Sequence, residues 1–258
     1  MPDRPEPTLT VRDVVLGTGT PAVVVPVLAQ DPGVCAGKVR DAREAGADLI
    51  EWRCDPLLAA DGTRSVRAVA PEVREAAGGC PLLVTLRTAD EGGLWDGAGS
   101  QLLDAYQMLL DTGICDLLDV QMFSEPDVAA QTMGAAHEAE VAVVGSHHRF
   151  DATPSEEEMV SVLTRIGDAG ADVAKLAVMP RVPQDVLALL QATVRAHAVL
   201  SCPLVTMSMG ALGGISRLAG AVTGSAATFA ALDEGSAPGQ LPLATVRSAL
   251  RALELQAY

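Results

Sequence analysis

Aromatic residues fill only 3% of the 258 positions, and of the 18 basic residues only two, Lys38 and Lys175, are lysines. Positive charge is scarce overall: 33 acids leave a net charge of −15. That balance argues against nucleic acid or an anionic membrane as a partner, since both demand a basic face. It does not prevent a local basic pocket for a small acid. No stretch reaches the roughly 18 uninterrupted apolar residues of a membrane span. The N-terminal MPDRPEPTLTVRD lacks the apolar core of a secretory signal, so a cytoplasmic location is expected. The five cysteines form no C-x-x-C pair and fit no disulfide or metal framework; they read as reduced, small core residues. No H-E-x-x-H, no Cys/His cluster at ligand spacing, no G-x-G-x-x-G and no Walker A sequence occurs. Nothing in the chain therefore asks for a metal, a nucleotide or another cofactor.

What is present is apolar and periodic. Hydrophobic residues make up 49% of the chain, enough to exclude a disordered polypeptide. Short buried-type runs alternate with helix-period segments: AVVVPVL (22–28), ADLIEWR, PLLVTLR, DLLDVQ, EVAVVGS, DVAKLAV and PLVTMSM read as strands, and AVTGSAA as a short eighth. Between them run segments apolar at i, i+3, i+4 and i+7, such as SQLLDAYQMLLDTG and PQDVLALLQATVRAHA. Ser155 followed by Glu156 to Glu158 marks one helix start. Strands without polar alternation, separated by helices, imply parallel pairing through βαβ units. Eight such units fit a (β/α)8 barrel forming a single domain over residues 1–258, with a doubly wound open sheet as the alternative. TLTVRDVVLG alternates apolar and polar residues and reads as a hairpin closing the barrel bottom.

In a barrel the chemistry sits where the strands end. Glu51 and Arg53 end the second strand, Arg87 the third with Glu91 just beyond, Asp119 and Gln121 the fourth, and His147, His148 and Arg149 the fifth. Glu51 and Arg53 also allow a plain structural ion pair. His147 and His148 point to opposite faces of their strand, so at most one enters a shared pocket. His137 and His197 fall in helical segments and read as structural. Lys175 is harder to explain as structural, because it interrupts the apolar strand DVAKLAVM and burying an unpaired ammonium is costly. A desolvated amine attacks ketones to form an imine, which acidifies the neighbouring C–H. A histidine from the adjacent strand end is placed to shuttle the proton, and arginines to hold a carboxylate. These residues alone suggest an imine-forming lyase or aldolase acting on a small anionic ketone.

Six segments in order (GADLIEWRCDPL, LLVTLRTADEGG, SHHRFDATP, ADVAKLAVMP, MSMGALGGISR and GSAATFAALDEGSAPGQ) resemble the type I 3-dehydroquinate dehydratases. The resemblance runs from about Thr10 to the C-terminus. It implies a cofactor-free (β/α)8 barrel that converts 3-dehydroquinate to 3-dehydroshikimate and water, by syn elimination, in the shikimate pathway. By the same resemblance Lys175 is the Schiff-base lysine, His148 the catalytic histidine, and Glu91 the carboxylate that orients it. Glu51, Arg53, Arg87, Arg217, Ser236 and Gln240 are implied to bind substrate, with Arg217 on its carboxylate and the Ser236–Gln240 loop as a lid. A homodimer is implied as well. Two positions depart from the pattern. Arg149 replaces an Asp or Asn: beside His148 its cation would disfavour the protonated imidazole, whereas strand alternation would turn it outward onto a solvent-exposed acid. Gln121 replaces a Glu, which is expected to remove a negative charge near the lysine. A relative with a shifted substrate and a non-catalytic sensor of quinate-like acids are the rival readings; the presence of both Lys175 and His148 weighs against the sensor.

Overall fold

The computed structural model describes residues 6–232 and 237–253. Eight parallel strands form its centre: β3 (Ala22–Leu28), β4 (Leu49–Arg53), β5 (Leu82–Thr85), β6 (Leu117–Gln121), β7 (Ala142–Arg149), β8 (Val173–Val178), β9 (Leu204–Ser208) and β10 (Ala227–Ala231). They pair in chain order, and β10 returns to pair with β3. The last seam, between β9 and β10, closes through the Leu204–Ser225 bridge, with Ala226 N–H donating to Leu204 O at 2.8 Å. Closure excludes the open doubly wound sheet and makes the molecule a (β/α)8 barrel. A two-residue strand, β11 (Leu241–Pro242), adds to β10 outside the barrel.

Alternation along each strand separates two apolar layers. In β4, Ile50 and Trp52 pack outward against the helices, whereas Leu49 joins the barrel interior. The helices α1 (Pro32–Glu44), α2 (Asp55–Ala77), α3 (Ser100–Asp111), α4 (Pro126–Glu138), α5 (Glu156–Asp168), α6 (Pro183–His197) and α8 (Leu243–Ala252) cover the outer face. In α5 the buried stripe is Met159, Leu163 and Ile166, at the spacing of one helix face, and each such side chain contributes about 1.5–3 kcal/mol on burial. Its start is the capping box expected from the sequence: Ser155 Oγ accepts from Glu158 N–H, and Glu158 Oε2 accepts from Ser155 N–H.

Two short strands, β1 (Leu9–Val11) and β2 (Val14–Leu16), form the expected antiparallel hairpin. Its buried Val11 and Leu16 pack with Leu49, Leu83, Leu117 and Val173. These interior residues lie in the N-terminal halves of their strands, so the hairpin plugs the bottom and leaves the C-terminal mouth open. One strand lies elsewhere than expected. Part of AVTGSAA forms a helical turn, α7 (Gly220–Thr223), in which Thr223 Oγ1 donates back to Ala219 O. The eighth strand is ATFAA (Ala227–Ala231), which brings Phe229 to the barrel mouth.

Candidate active site

The C-terminal halves of the strands replace the apolar interior with charge. Lys175, from the middle of β8, is 3% exposed, and its Nζ donates to Asp119 Oδ2 at 2.9 Å. Glu51 Oε1 stands 3.7 Å from the same nitrogen, and the Phe229 ring lies 4.6 Å from it. Thr85 Oγ1 fixes Glu51 by donating to it at 2.9 Å. Lys38, by contrast, sits on α1 and donates to the Leu28 carbonyl at the exposed rim. Only one of the two lysines is held inside the barrel.

Arg87 links the amine to the histidines. One of its Nη atoms donates to Asp119 at 2.8 Å; the other reaches Ser146 Oγ at 3.0 Å and Glu91 Oε2 at 3.3 Å. Ser146 Oγ donates in turn to Asp119 at 2.6 Å. Burial opposes the charged form of Asp119, but Arg87 and Lys175 overcome it and hold the carboxyl well below the ordinary range. Arg53 forms a bidentate pair with buried Asp55, at 2.7 and 2.9 Å, rather than with Glu51. The plain Glu51–Arg53 ion pair admitted by the sequence is absent: the next acid along the chain takes the guanidinium, which frees Glu51 for Lys175.

Glu91 ends a single 3₁₀ turn, Ala89–Glu91, that folds over the mouth after β5. Gly92 follows with φ +82°, and a β-carbon there would stand 2.4 Å from Phe150 Cζ, so the turn needs glycine to pack on that ring. His148 Nδ1 lies 2.9 Å from Glu91 Oε2, and His147 Nδ1 lies 3.1 Å from Oε1. Burial acts to raise the carboxyl of Glu91, yet hydrogen bonds from both histidines and the charge of Arg87 bring it down to about 2. An ionised carboxylate only accepts, so both Nδ1 atoms carry hydrogen and His148 keeps its Nε2 lone pair free. Burial, then Arg87, press His148 down to about 3 despite the bond to Glu91, so the imidazole is neutral at pH 7.

The contact to His147 is an addition to the expectation that only one of the two histidines enters the pocket. Strand alternation does send the two histidines to opposite faces, and His148 lines the cavity. Glu91, however, lies across the strand end and offers one oxygen to each. Arg149 takes the outward of its two expected placements. Its guanidinium forms a bidentate pair with exposed Asp151, at 2.9 and 3.0 Å, and it is not among the groups that shift His148. Gln121 is not a hydrogen-bond partner of the lysine. Its Oε1 accepts from Thr88 N–H at 2.8 Å and its Nε2 donates to Thr88 Oγ1 at 2.7 Å, anchoring the loop that carries Glu91. The carboxylates beside Lys175 come from Asp119 and Glu51 instead.

The cavity is lined by Glu51, Arg53, Arg87, Glu91, His148 and Lys175, with Met207, Phe229, Ala237 and Gln240 on the facing wall. Arg217 is 2% exposed and lies behind Met207, its Nη1 4.0 Å from the Met207 sulfur and its Nη2 donating to Pro238 O at 3.2 Å. Its Nε has no partner, and no carboxylate pairs with it among the described residues. Burial alone lowers this guanidinium to about 10. The segment 237–240 presses on the end of β9: Gly210 N–H donates to Pro238 O, and a β-carbon at Gly239, with φ +76°, would fall 2.1 Å from Gly210 O. Ser236 lies outside the described residues. Sequence reasoning puts Asp119 and Ser146 among the polar strand ends without assigning either a role, and does not single out Phe229. Asp119 was legible in principle, since alternation in LLDVQ puts it on the inner face of β6.

The sequence model of the family described as Type I 3-dehydroquinase matches residues 23–257. The chain belongs to the type I 3-dehydroquinase family. It is 41% identical over 247 residues to the 3-dehydroquinate dehydratase of Salmonella typhimurium, covering 95% of this chain and 98% of that one. The crystal structure of 3-dehydroquinate dehydratase from Geobacillus kaustophilus is similar with a TM-score of 0.92 at 36% identity, over 97% of this chain and 98% of that one. The type I enzyme from Clostridium difficile, solved with covalently modified comenic acid, gives a TM-score of 0.91 at 36% identity, over 96% and 98% of the two chains. The barrel expected from the sequence is therefore the family's own, and the family's enzymes are hydro-lyases.

The ionisation of this dehydroquinase site has a consequence for stability. The unfolded chain takes up a proton on His148 near its ordinary 6.5, whereas the folded site resists it down to about 3. The unfolded state thus binds more protons in that window, and stability from this group is full above 6.5 and lost as pH falls toward 3. Glu91, ordinarily 4.5 and here about 2, adds a loss of the same sign below 4.5. The melting temperature is expected to fall on acidification through this range, and His148→Asn to flatten its upper part. A wild-type melting temperature unchanged between pH 6.5 and 4.5 would contradict the assignment.

Proposed function

We propose that the enzyme converts 3-dehydroquinate to 3-dehydroshikimate and water through an imine on Lys175. The observation that carries this reading is a buried amine flanked by Asp119 and Glu51, sharing its cavity with the neutral imidazole of His148 on the ionised Glu91. Once its extra proton has passed to a neighbouring base, Nζ attacks the C3 ketone, and return of that proton to the carbinolamine hydroxyl expels water and leaves a protonated imine. That cation draws electrons from C2, so His148 Nε2 removes a C2 proton and an enamine forms. The imidazolium then gives the proton to the C1 hydroxyl, which departs as water by syn elimination. Hydrolysis of the conjugated imine releases product and restores the amine. Proton shuttling by one positioned histidine contributes about 10²–10⁴-fold. No step needs a cofactor or a metal, and the reaction belongs to the shikimate pathway in this reading. The substrate is a small acid, the working compartment the cytoplasm, the functional unit a homodimer of one-domain barrels, and nucleic acid and membrane have no part.

Arg217 is the proposed carboxylate site, supported by a buried guanidinium without an acid partner among the described residues. Arg53, Arg87, Glu51 and Gln240 face the rest of the substrate, and a binding role for Ser236, outside the described residues, rests on the family resemblance alone. Loss of a buried charge partner costs at least about 2 kcal/mol, so Arg217→Ala is expected to raise Kd for the substrate roughly thirtyfold or more. Arg217→Lys recovers part of this, because an ammonium lacks the planar fork. Titration of either variant with product checks it; unchanged binding in both would assign the carboxylate to another arginine. The reaction itself is tested by incubating the protein with 3-dehydroquinate and following the ultraviolet absorbance of the conjugated enone. Absence of that signal in folded protein would refute the function.

A further inference from the structure

The His147–His148 doublet contains one histidine that the proposed reaction does not use. Both rings reach Glu91, and they divide its oxygens. Oε2 receives His148 at 2.9 Å and Arg87 at 3.3 Å. Oε1 has His147, at 3.1 Å, as its hydrogen-bond partner among the described residues. Glu91 is only 4% exposed, so water has little access to replace a lost donor.

The His147 ring is itself held from outside the cavity. It packs against Phe123 in a T-shaped pair, with centroids 5.0 Å apart and planes at 79°. The Arg165 guanidinium of α5 covers Phe123 at 4.5 Å from the ring centroid. Arg165, Phe123, His147 and Glu91 thus form a stacked train that ends on the carboxylate beside His148. We propose that His147 is a positioning residue for the dehydration: it holds Oε1 of Glu91 so that Oε2 stays on His148 Nδ1 and Nε2 stays aimed at the substrate carbon. Without it the carboxylate is held through Oε2 alone, by His148 and Arg87, so its last torsion loosens and the angle of the imidazole is less closely fixed.

This inference rests on the reading of His148 as the proton carrier, and the experiment separates the two. Steady-state dehydration of 3-dehydroquinate and borohydride trapping of the imine are measured for wild type, His148→Ala, His147→Phe and His147→Asn. His147→Phe keeps a ring against Phe123 but has no donor; His147→Asn places an amide N–H where Nδ1 stands. His147→Phe is expected to lower kcat about tenfold with KM changed less than about twofold, since a misaimed base slows chemistry and not binding. Trapping of its imine proceeds as in wild type, and His147→Asn recovers most of kcat. If His147→Phe does not fold, His147→Leu makes the same comparison. A wild type without dehydratase activity overturns the functional reading itself. An active wild type with an inactive His148→Ala and an unimpaired His147→Phe overturns this inference alone, as does His147→Asn that is as slow as His147→Phe.

Discussion

Lys175→Ala is expected to lower kcat by at least about 10⁴-fold, the scale seen when a covalent nucleophile is removed from an otherwise intact site. The argument is positional. Lys175 is the lysine held inside the barrel, 2.9 Å from Asp119 and 3.7 Å from Glu51, while Lys38 sits at the rim on a backbone carbonyl. Without Nζ no imine forms, and the C2 proton has no electron sink beside it. The barrel itself is expected to survive, because Asp119 keeps Arg87 and Ser146, and Glu51 keeps Thr85. Substrate binding then persists while turnover is lost, which isothermal titration with product checks. Turnover within tenfold of wild type would remove Lys175 from the chemistry.

His148→Ala is the second large effect, a kcat lowered by about 10²–10⁴-fold with the imine still formed. Neutral imidazole is the form that accepts the C2 proton, and the folded site keeps His148 neutral down to about 3. The acidic limb of kcat/KM that belongs to this histidine is therefore expected well below the ordinary 6.5. Arg149→Asp leaves that limb in place, because Arg149 is turned outward onto Asp151. A limb near 6.5 in wild type would mean that burial and the neighbouring cations do not act on His148 as the geometry requires.

The residues differ in how openly the sequence declares them. Lys175 is conspicuous in its own strand, because a charge inside an apolar run demands a reason. Seven strands and the cap of α5 are equally legible, since local periodicity and Ser155–Glu158 spacing decide them. Asp119 is hidden: alternation places it inward, but only closure of the barrel brings β6 within 2.9 Å of the amine on β8. His147 shows the limit of alternation as a rule. Its side chain leaves the strand on the outer face, yet the turn carrying Glu91 wraps far enough for both faces to reach it. Gln121 illustrates a different limit. Its strand position lies on the lysine's side of the barrel, but its amide bonds to Thr88 decide what it does. The eighth strand lies later than periodicity suggests because Ala221-Val222-Thr223 is as apolar as the strand that follows, and the turn bonded through Thr223 leaves no periodic signal.

The central claim is a covalent bond between substrate and one lysine. Reduction with borohydride in the presence of 3-dehydroquinate, followed by peptide mapping and mass spectrometry, tests it most directly. The account predicts one adduct per chain, on the peptide containing Lys175, and none in Lys175→Ala. An adduct on Lys38, or an active preparation that yields no adduct, would contradict it.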